Sequence, residues 1–345
     1  MNQPGDPGAD IPGYSSLIRA LGWPDQASWW QHWQRRNGLA LAREAWPAGI
    51  EAPWICGLAW PLFSLLEQAA VSGSRPLIGL SALPGCGKTT LGAWITAAAA
   101  VLALPIAVVS LDDFYWPSAA MEARMRGNPW QAPRALPGSH DLELLQRCLN
   151  QWQQGGRLRL PQFDKALRGG LGDRAGWRQL EAEVLLLEGW FIGVDPWTPE
   201  QAQDVSAIRA VSSLEPTAEE LAYRPTIQAA LAHYRPLWER MACIWQLQAP
   251  GTGATVPWKQ QQEGQLQRGR GVAMAPAQLA AFSRMLQLAI LPTALQTIGR
   301  ASTVVRIDAA RQIVAIEQRP GAYTSSGWRG SPLNGPSRSE LIQPP

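Results

Sequence analysis

PLIGLSALPGCGKTTL, Pro76 to Leu91, carries a strand, a glycine-rich turn and the start of a helix in one short run. Leu77, Ile78, Gly79 and Leu80 are apolar and bounded by Pro76 and Ser81, the pattern of a buried strand. Gly85-Cys86-Gly87-Lys88-Thr89-Thr90 follows at once. Leu91 to Val101 then continues with Ala, Leu, Trp and Ile and without proline, the pattern of a helix. Strand, glycine-rich turn and helix form the context that a phosphate-binding P-loop requires. Small residues let backbone N–H groups close round an anion, and the helix N-terminus adds its partial positive charge. On this reading Gly85, Cys86, Gly87, Lys88, Thr89 and Thr90 hold nucleotide phosphates. Lys88 reaches the β- and γ-phosphates, and Thr89 offers a hydroxyl to Mg2+. The full pattern has glycine five residues before Gly87, where this chain has Ala82.

The length of 345 residues allows a large core, either one α/β domain with additions or two domains. A net charge of +3, with basic residues scattered, gives no electrostatic footprint for nucleic acid or an anionic membrane surface. Lysine occurs only at Lys88, Lys165 and Lys259, each inside a motif taken up below. Cys56, Cys86, Cys148 and Cys243 form no CxxC pair and have few histidines beside them, so a zinc site has no ligand set to draw on. That cysteine pattern suits a reducing compartment, and Met1 to Ala20 lacks the basic and apolar regions of a secretory signal. A cytoplasmic location is expected. Thr89 to Leu111 is uncharged throughout, long enough to raise the question of a membrane span. It begins on the phosphate loop, contains Pro105 and ends at Asp112-Asp113, so a buried helix followed by a buried strand is the better reading.

Met1 to Gly13 is rich in Gly, Pro and Asp and is expected to be disordered, as is the Ser/Pro/Gly-rich tail from Gly321 to Pro345. Tyr14 to Gln68 reads as helical, with Trp29, Trp30, Trp33, Trp46, Trp54 and Trp60 as packing residues and a break near Pro47 and Pro53. Leu104 to Leu111 is a second buried strand ending in Asp112-Asp113. Acids at the carboxyl end of such a strand face the phosphate site. Asp112 is the candidate base for a substrate hydroxyl, or a holder of Mg2+ through water, with a helix N-cap as its ordinary alternative. Trp116 to Gly138 is a proline-rich, arginine-bearing segment of the kind that forms lids or substrate loops. It closes on Pro137-Gly138-Ser139-His140-Asp141, ahead of a helix from Leu142 to Trp152 that Ser139 or Asp141 can cap. Lys165 and Arg174, on a glycine-bearing loop, suit the clamping of phosphate or carboxylate oxygens, or ordinary salt bridges. Glu183 to Leu187 is a third buried strand, with Glu188 at its end placed to orient Mg2+ or to pair with an arginine. From Asp195 the chain reads as helical, and Thr303 to Ile307 with Ile313 to Ile316 reads as a closing hairpin. Cys86, near a helix N-terminus and Lys88, has two readings: a thiol of lowered pKa whose oxidation or alkylation blocks nucleotide binding, or a small residue filling a tight turn.

Taken in order, GCGKTT, SLDDFY, LPGSHD, FDK with GGLGDRA, and LLLEGW resemble the D-glycerate 3-kinase family, one of the small-molecule P-loop kinases alongside uridine kinase and phosphoribulokinase. The resemblance runs from about Arg75 to Pro196 and continues more weakly to about Pro292 through Trp258–Glu263. Leu83-Pro84 stands where the family commonly has Pro-Gln, and Lys259 where it has Arg. The likeness implies an α/β fold: a P-loop NTPase-type doubly wound parallel sheet flanked by helices, with an N-terminal helical extension. Residues 1–74 would form that start and extension, 75–320 the kinase domain with its lid and substrate loops, and 321–345 the tail. It further implies Mg-ATP as donor and D-glycerate as acceptor, giving 3-phosphoglycerate. Carried over, Lys88, Asp112 and Glu188 are catalytic, Thr89, Asp112 and Glu188 serve the metal, and His140, Asp141, Lys165 and Arg174 contact substrate or phosphate. The shared P-loop and Asp112 also fit a related kinase for a nucleoside, sugar phosphate or pantothenate. A nucleotide-sensing ATPase without an acceptor is the reading from another class.

Overall fold

The computed structural model describes residues 6, 8–36, 38, 52–155, 157–198, 200–201, 206 and 214–319. The expected tail at 321–345, the expectations for Trp46 and Pro47, and most of the first seven residues lie outside the described residues. Strands β1 (Leu77–Ala82), β2 (Ile106–Ser110), β3 (Leu158–Asp164), β4 (Asp173–Leu180), β5 (Val184–Gly189), β6 (Met241–Gln248), β7 (Ala301–Ile307) and β8 (Ile313–Gln318) are formed. Six of them make one sheet in the order β2-β5-β1-β6-β7-β8, parallel except for the final β7–β8 hairpin. LIGLSA and VLLLEG are buried at every position because β1 and β5 sit inside this sheet with both faces covered. β3 and β4 pair antiparallel as a separate ribbon. The expected doubly wound, mostly parallel sheet is therefore the one observed.

Helices α1 (Tyr14–Ala20), α2 (Gln26–Arg35) and α3 (Trp60–Val71) form the N-terminal layer, and α4 (Lys88–Val101) follows the P-loop. The tryptophans of the layer are packing residues. Trp33 stacks on Trp60 at 5.2 Å between ring centroids, and Ser64 Oγ accepts from both Trp29 and Trp33 Nε1. Phe63 meets Trp94 of α4 edge-on at 5.7 Å, so the layer is seated on the P-loop helix itself. Such aromatic pairs add roughly 0.5–1.5 kcal/mol each beyond the area they bury. The uncharged run from Thr89 to Leu111 resolves into α4 and then β2, and no helix among the described residues is long and apolar enough to cross a membrane.

Two segments depart from the sequence reading. Met241–Gln248 lies in a region that reads as helical, yet it forms β6, parallel to β1. Gln246 and Gln248 break the continuous apolar run that announces a strand buried on both faces. In the sheet the Gln246 amide is buried; its Nε2 donates to Leu295 O at 2.8 Å, while its Oε1 has no hydrogen-bond partner among the described residues. Trp116–Gly138, read as an irregular lid, holds helix α5 (Ser118–Met125) and buries Trp130, Arg134 and Leu136 in the core. Helices α6 (Leu142–Gln153), α7 (Ala218–Ala232), α8 (Arg235–Glu239), α9 (Thr255–Arg270) and α10 (Pro276–Leu288) complete the flanks used below.

Candidate active site

The carboxyl ends of β1, β2 and β5 open into one cavity of about 580 Å³. Register explains why. Glu188 of β5 pairs with Leu80 of β1 on one side and Ser110 of β2 on the other, so the residues just beyond all three strands converge. This is where open α/β sheets bind ligands. Gly85 and Gly87 have φ of 86° and 95°, which side-chain-bearing residues rarely adopt, and a Cβ at Gly85 would run into the Trp258 side chain. Ala82 needs no such freedom: it is the last residue of β1, without a positive φ, which accounts for alanine where the pattern has glycine. Lys88 Nζ donates to the carbonyls of Ala82 at 2.6 Å and Leu83 at 3.2 Å. Thr89 and Thr90 line the cavity with it.

Asp112 follows β2 in a short 3-10 turn whose N-cap is Ser110, with Ser110 Oγ accepting from Asp112 N at 3.3 Å. The Asp112 carboxylate is thus free of capping duty. It takes the Lys165 ammonium at 2.5 Å, and His140 Nε2 stands 3.9 Å from its other oxygen, beyond hydrogen-bond range. Burial raises the Asp112 pKa, but the Lys165 ammonium outweighs it and holds the carboxyl well below its ordinary value. Burial likewise works against the Lys165 charge, and Asp112 more than offsets it, so the lysine is raised. Glu188 is raised chiefly by burial, with the Lys88 charge opposing. Asp113 faces away from the cavity, accepting from Phe163 N at 3.4 Å and Arg178 at 3.4 Å, and so ties the turn to the β3–β4 ribbon that delivers Lys165.

The Pro137–Asp141 segment braces the same turn. Asp141 N donates to Phe114 O at 2.8 Å, Trp116 N to Ser139 O at 3.1 Å, and the His140 ring stacks on Tyr115 at 4.5 Å. His140 is buried, its Nδ1 2.8 Å from the Tyr234 hydroxyl, and burial lowers its pKa so that it is neutral at pH 7. Asp141 Oδ1 caps α6 through Leu144 N at 3.0 Å, and its other oxygen takes Arg174 Nη2 at 3.1 Å. Arg174 also donates to Tyr115 O at 3.0 Å and lies on β4 rather than on a loop. Lys88, Asp112, Lys165 and Glu188 therefore converge on the cavity, His140 stands behind Asp112, and Asp141 and Arg174 engage each other outside the lining. Asp141→Ala removes a cap and an ion pair at once. It is expected to lower stability by about 1–2 kcal/mol, read as a shift in the denaturant midpoint at unchanged slope.

Several lining residues were not singled out by the sequence reading. Arg311, at the β7–β8 turn with φ 67°, donates to Gly85 O at 2.9 Å and Gln261 Oε1 at 2.9 Å, and its guanidinium lies over Trp258. Trp54 and Trp258 tie that turn down by donating to Arg311 O and Ala309 O. Only contacts between distant stretches reveal this wall; no local motif announces it. Arg134 is another such residue. Lys259 pairs with Glu263 at 2.6 Å, so all three lysines of the chain line this cavity. The reading of Cys86 as a thiol of lowered pKa is corrected. The side chain is fully buried, and burial outweighs the nearby Lys88 charge, pushing its pKa up to about 11. It fills a tight turn.

Thr89, Asp112 and Glu188 all line the cavity with oxygen donors, the chemistry Mg2+ takes. No group of three or more His, Cys, Asp or Glu that could hold a metal ion occurs among the described residues. A magnesium ion here would complete its shell with phosphate oxygens and water, its usual habit.

No protein-family model matches the chain. The uncharacterized kinase mug58 of Schizosaccharomyces pombe is 27% identical over 215 residues, covering 59% of this chain and 75% of that protein. The chloroplastic D-glycerate 3-kinase of Arabidopsis thaliana is 29% identical over 181 residues, covering 49% of this chain but only 36% of that longer protein. Among solved structures, a D-glycerate 3-kinase from Cryptococcus neoformans matches with a TM-score of 0.59 at 22% identity, over 82% of this chain and 96% of that one, which shows a shared fold. The chain is thus similar in sequence to kinases that include a D-glycerate 3-kinase and shares the fold of another, and its own glycine-rich loop lies at the carboxyl edge of a mostly parallel sheet.

Proposed function

We propose that the chain is an ATP-dependent kinase that transfers the γ-phosphoryl group of Mg-ATP to the 3-hydroxyl of D-glycerate, giving 3-phosphoglycerate and ADP. The observation that carries this reading is an ionised Asp112 facing the P-loop across one cavity, with Lys165 on its carboxylate. Phosphoryl transfer asks the protein mainly to position the partners and to stabilise charge on the moving group. The acceptor oxygen attacks the γ-phosphorus, the bond to the β-bridging oxygen breaks, and ADP departs with that electron pair.

A carboxyl held well below its ordinary pKa is a weak base, so Asp112 does not strip the hydroxyl in advance. It accepts a hydrogen bond from the hydroxyl, aims a lone pair at phosphorus, and takes the proton as the new bond forms, which a loose transition state permits. Lys88 and Lys165 supply positive charge at the two ends of the transfer. Mg2+, held by Thr89 with Asp112 and Glu188, would neutralise phosphate charge. The buried Tyr234–His140 pair and the Asp141–Arg174 pair keep the Asp112 turn in place. The test is turnover of Mg-ATP against D-glycerate, L-glycerate, uridine, ribulose 5-phosphate and pantothenate. Transfer confined to D-glycerate is expected; transfer to another member instead, or hydrolysis indifferent to all of them, contradicts the reading.

A further inference from the structure

Five cationic side chains line the cavity: Lys88, Arg134, Lys165, Lys259 and Arg311. Two are neutralised by carboxylates, Lys165 by Asp112 at 2.5 Å and Lys259 by Glu263 at 2.6 Å. Lys88 rests on carbonyls at the start of the P-loop, where nucleotide phosphates belong, and Arg311 holds Gly85 O and Gln261 at the far wall. Arg134 is different. It is only 5% exposed, and both of its hydrogen bonds leave from Nη1, to Gly170 O at 2.9 Å and Leu171 O at 2.6 Å. Among the described residues no carboxylate lies within ion-pair distance of it. A buried guanidinium is ordinarily paired with a charge, because leaving water uncompensated is costly.

The position of Arg134 narrows what the missing anion is. Ala135 and Leu136 beside it are buried, and its two carbonyl partners belong to the turn between β3 and β4, so the side chain is fixed before any ligand arrives. Burial lowers its pKa, and the groups that act against this are Tyr115 and Asp112 of the turn after β2 and then Glu263. Its own charge in turn acts on Lys165 and Lys259. This is the Asp112 side of the cavity, where an acceptor hydroxyl has to sit, and not the P-loop side. A planar guanidinium with one nitrogen committed still offers a second nitrogen and Nε to a carboxylate, a pairing that a point charge reproduces poorly.

Resting on the kinase reading above, we propose that Arg134 receives the anionic group of the acceptor, a carboxylate in D-glycerate, and that it is the residue by which the site prefers a hydroxy acid to a neutral alcohol. A site built to satisfy its charge with the substrate rejects an analogue that leaves the charge unpaired. Arg174, expected to share this role, is already engaged by Asp141.

Steady-state kinetics of the full chain with Mg-ATP test this, comparing D-glycerate with glycerol, which keeps the hydroxyls and lacks the carboxylate. The readout is the ratio of kcat/KM for the two acceptors in the native protein, Arg134→Gln and Arg134→Lys. The preference for D-glycerate is expected to fall about 10–100-fold in Arg134→Gln, mainly through KM, with Arg134→Lys between. A purely structural role for Arg134 would weaken both acceptors and leave the ratio intact, which overturns the proposal. Arg134→Lys keeps the charge and a donor for the β3–β4 turn, so the ratio can be read even where Arg134→Gln does not fold; an unchanged ratio there overturns the proposal as well. Should the native protein use ribulose 5-phosphate or pantothenate in place of glycerate, the glycerate reading fails by itself. The Arg134 claim then stands or falls on whether the KM for that anionic acceptor rises in the variants. Uridine as the acceptor, or ATP turnover without any acceptor, removes both.

Discussion

Asp112→Asn is expected to lower kcat for phosphoryl transfer by about 10²–10⁴-fold, the range that a positioned proton acceptor contributes, while the KM for ATP changes little. The substitution keeps the shape of the side chain and removes its charge. Three consequences follow from the geometry. The hydroxyl loses its anionic acceptor, Lys165 loses the partner 2.5 Å away, and the His140 ring 3.9 Å from the carboxylate faces a neutral amide. The turn itself is expected to survive, because Ser110 caps it and the Pro137–Asp141 segment pairs with its backbone. ADP formation measured directly, with a thermal melt of the same sample, separates lost chemistry from lost structure. Retention of the native kcat in a folded Asp112→Asn protein would reduce Asp112 to a salt-bridge partner for Lys165.

Lys88→Met is expected to lower kcat/KM for ATP by about 10²–10³-fold, the scale seen when one preorganised charge-stabilising donor is removed. Methionine keeps the apolar stem and deletes the ammonium. In the resting protein that ammonium sits on the Ala82 and Leu83 carbonyls at the mouth of the loop, poised over the place where the helix N-terminus and the Gly85–Gly87 backbone receive phosphates. Ala82 and Leu83 are buried, so loss of the donor to their carbonyls is expected to lower folding stability as well, by about 1–3 kcal/mol, which a denaturant midpoint reads separately from the kinetic loss. Nucleotide affinity measured by calorimetry together with kcat tells whether Lys88 acts on bound ATP, on the transition state, or on both.

What was legible in the sequence follows a physical pattern. The elements read correctly were those whose signal is local. LIGLSA and VLLLEG are unbroken apolar runs, as strands covered on both faces require, and each is closed by chemistry, the glycine-rich turn or Glu188. β6 is hard to read because Gln246 and Gln248 interrupt the run, and the carbonyl that accepts from Gln246 Nε2, Leu295 O, lies far along the chain. The same split holds in the cavity. Lys88, Asp112 and Glu188 stand next to strand ends and could be read from position alone. Arg134 and Arg311 reach the cavity from a proline-rich segment and from a hairpin turn between edge strands, where nothing local distinguishes them from other arginines among 30 basic residues. Asp141 illustrates the converse error of emphasis: a polar cluster beside a candidate site reads as substrate contact, while the geometry occupies its carboxylate with a helix cap and Arg174. Cys86 fell to burial, a quantity that spacing does not encode.

Phosphorus NMR of a single reaction, Mg-ATP with D-glycerate and the full chain, tests the central claim most directly. The expected result is a phosphomonoester resonance coinciding with added 3-phosphoglycerate, growing in step with ADP and with little inorganic phosphate. ADP appearing with an equal amount of inorganic phosphate, at a rate the same with and without D-glycerate, would contradict it.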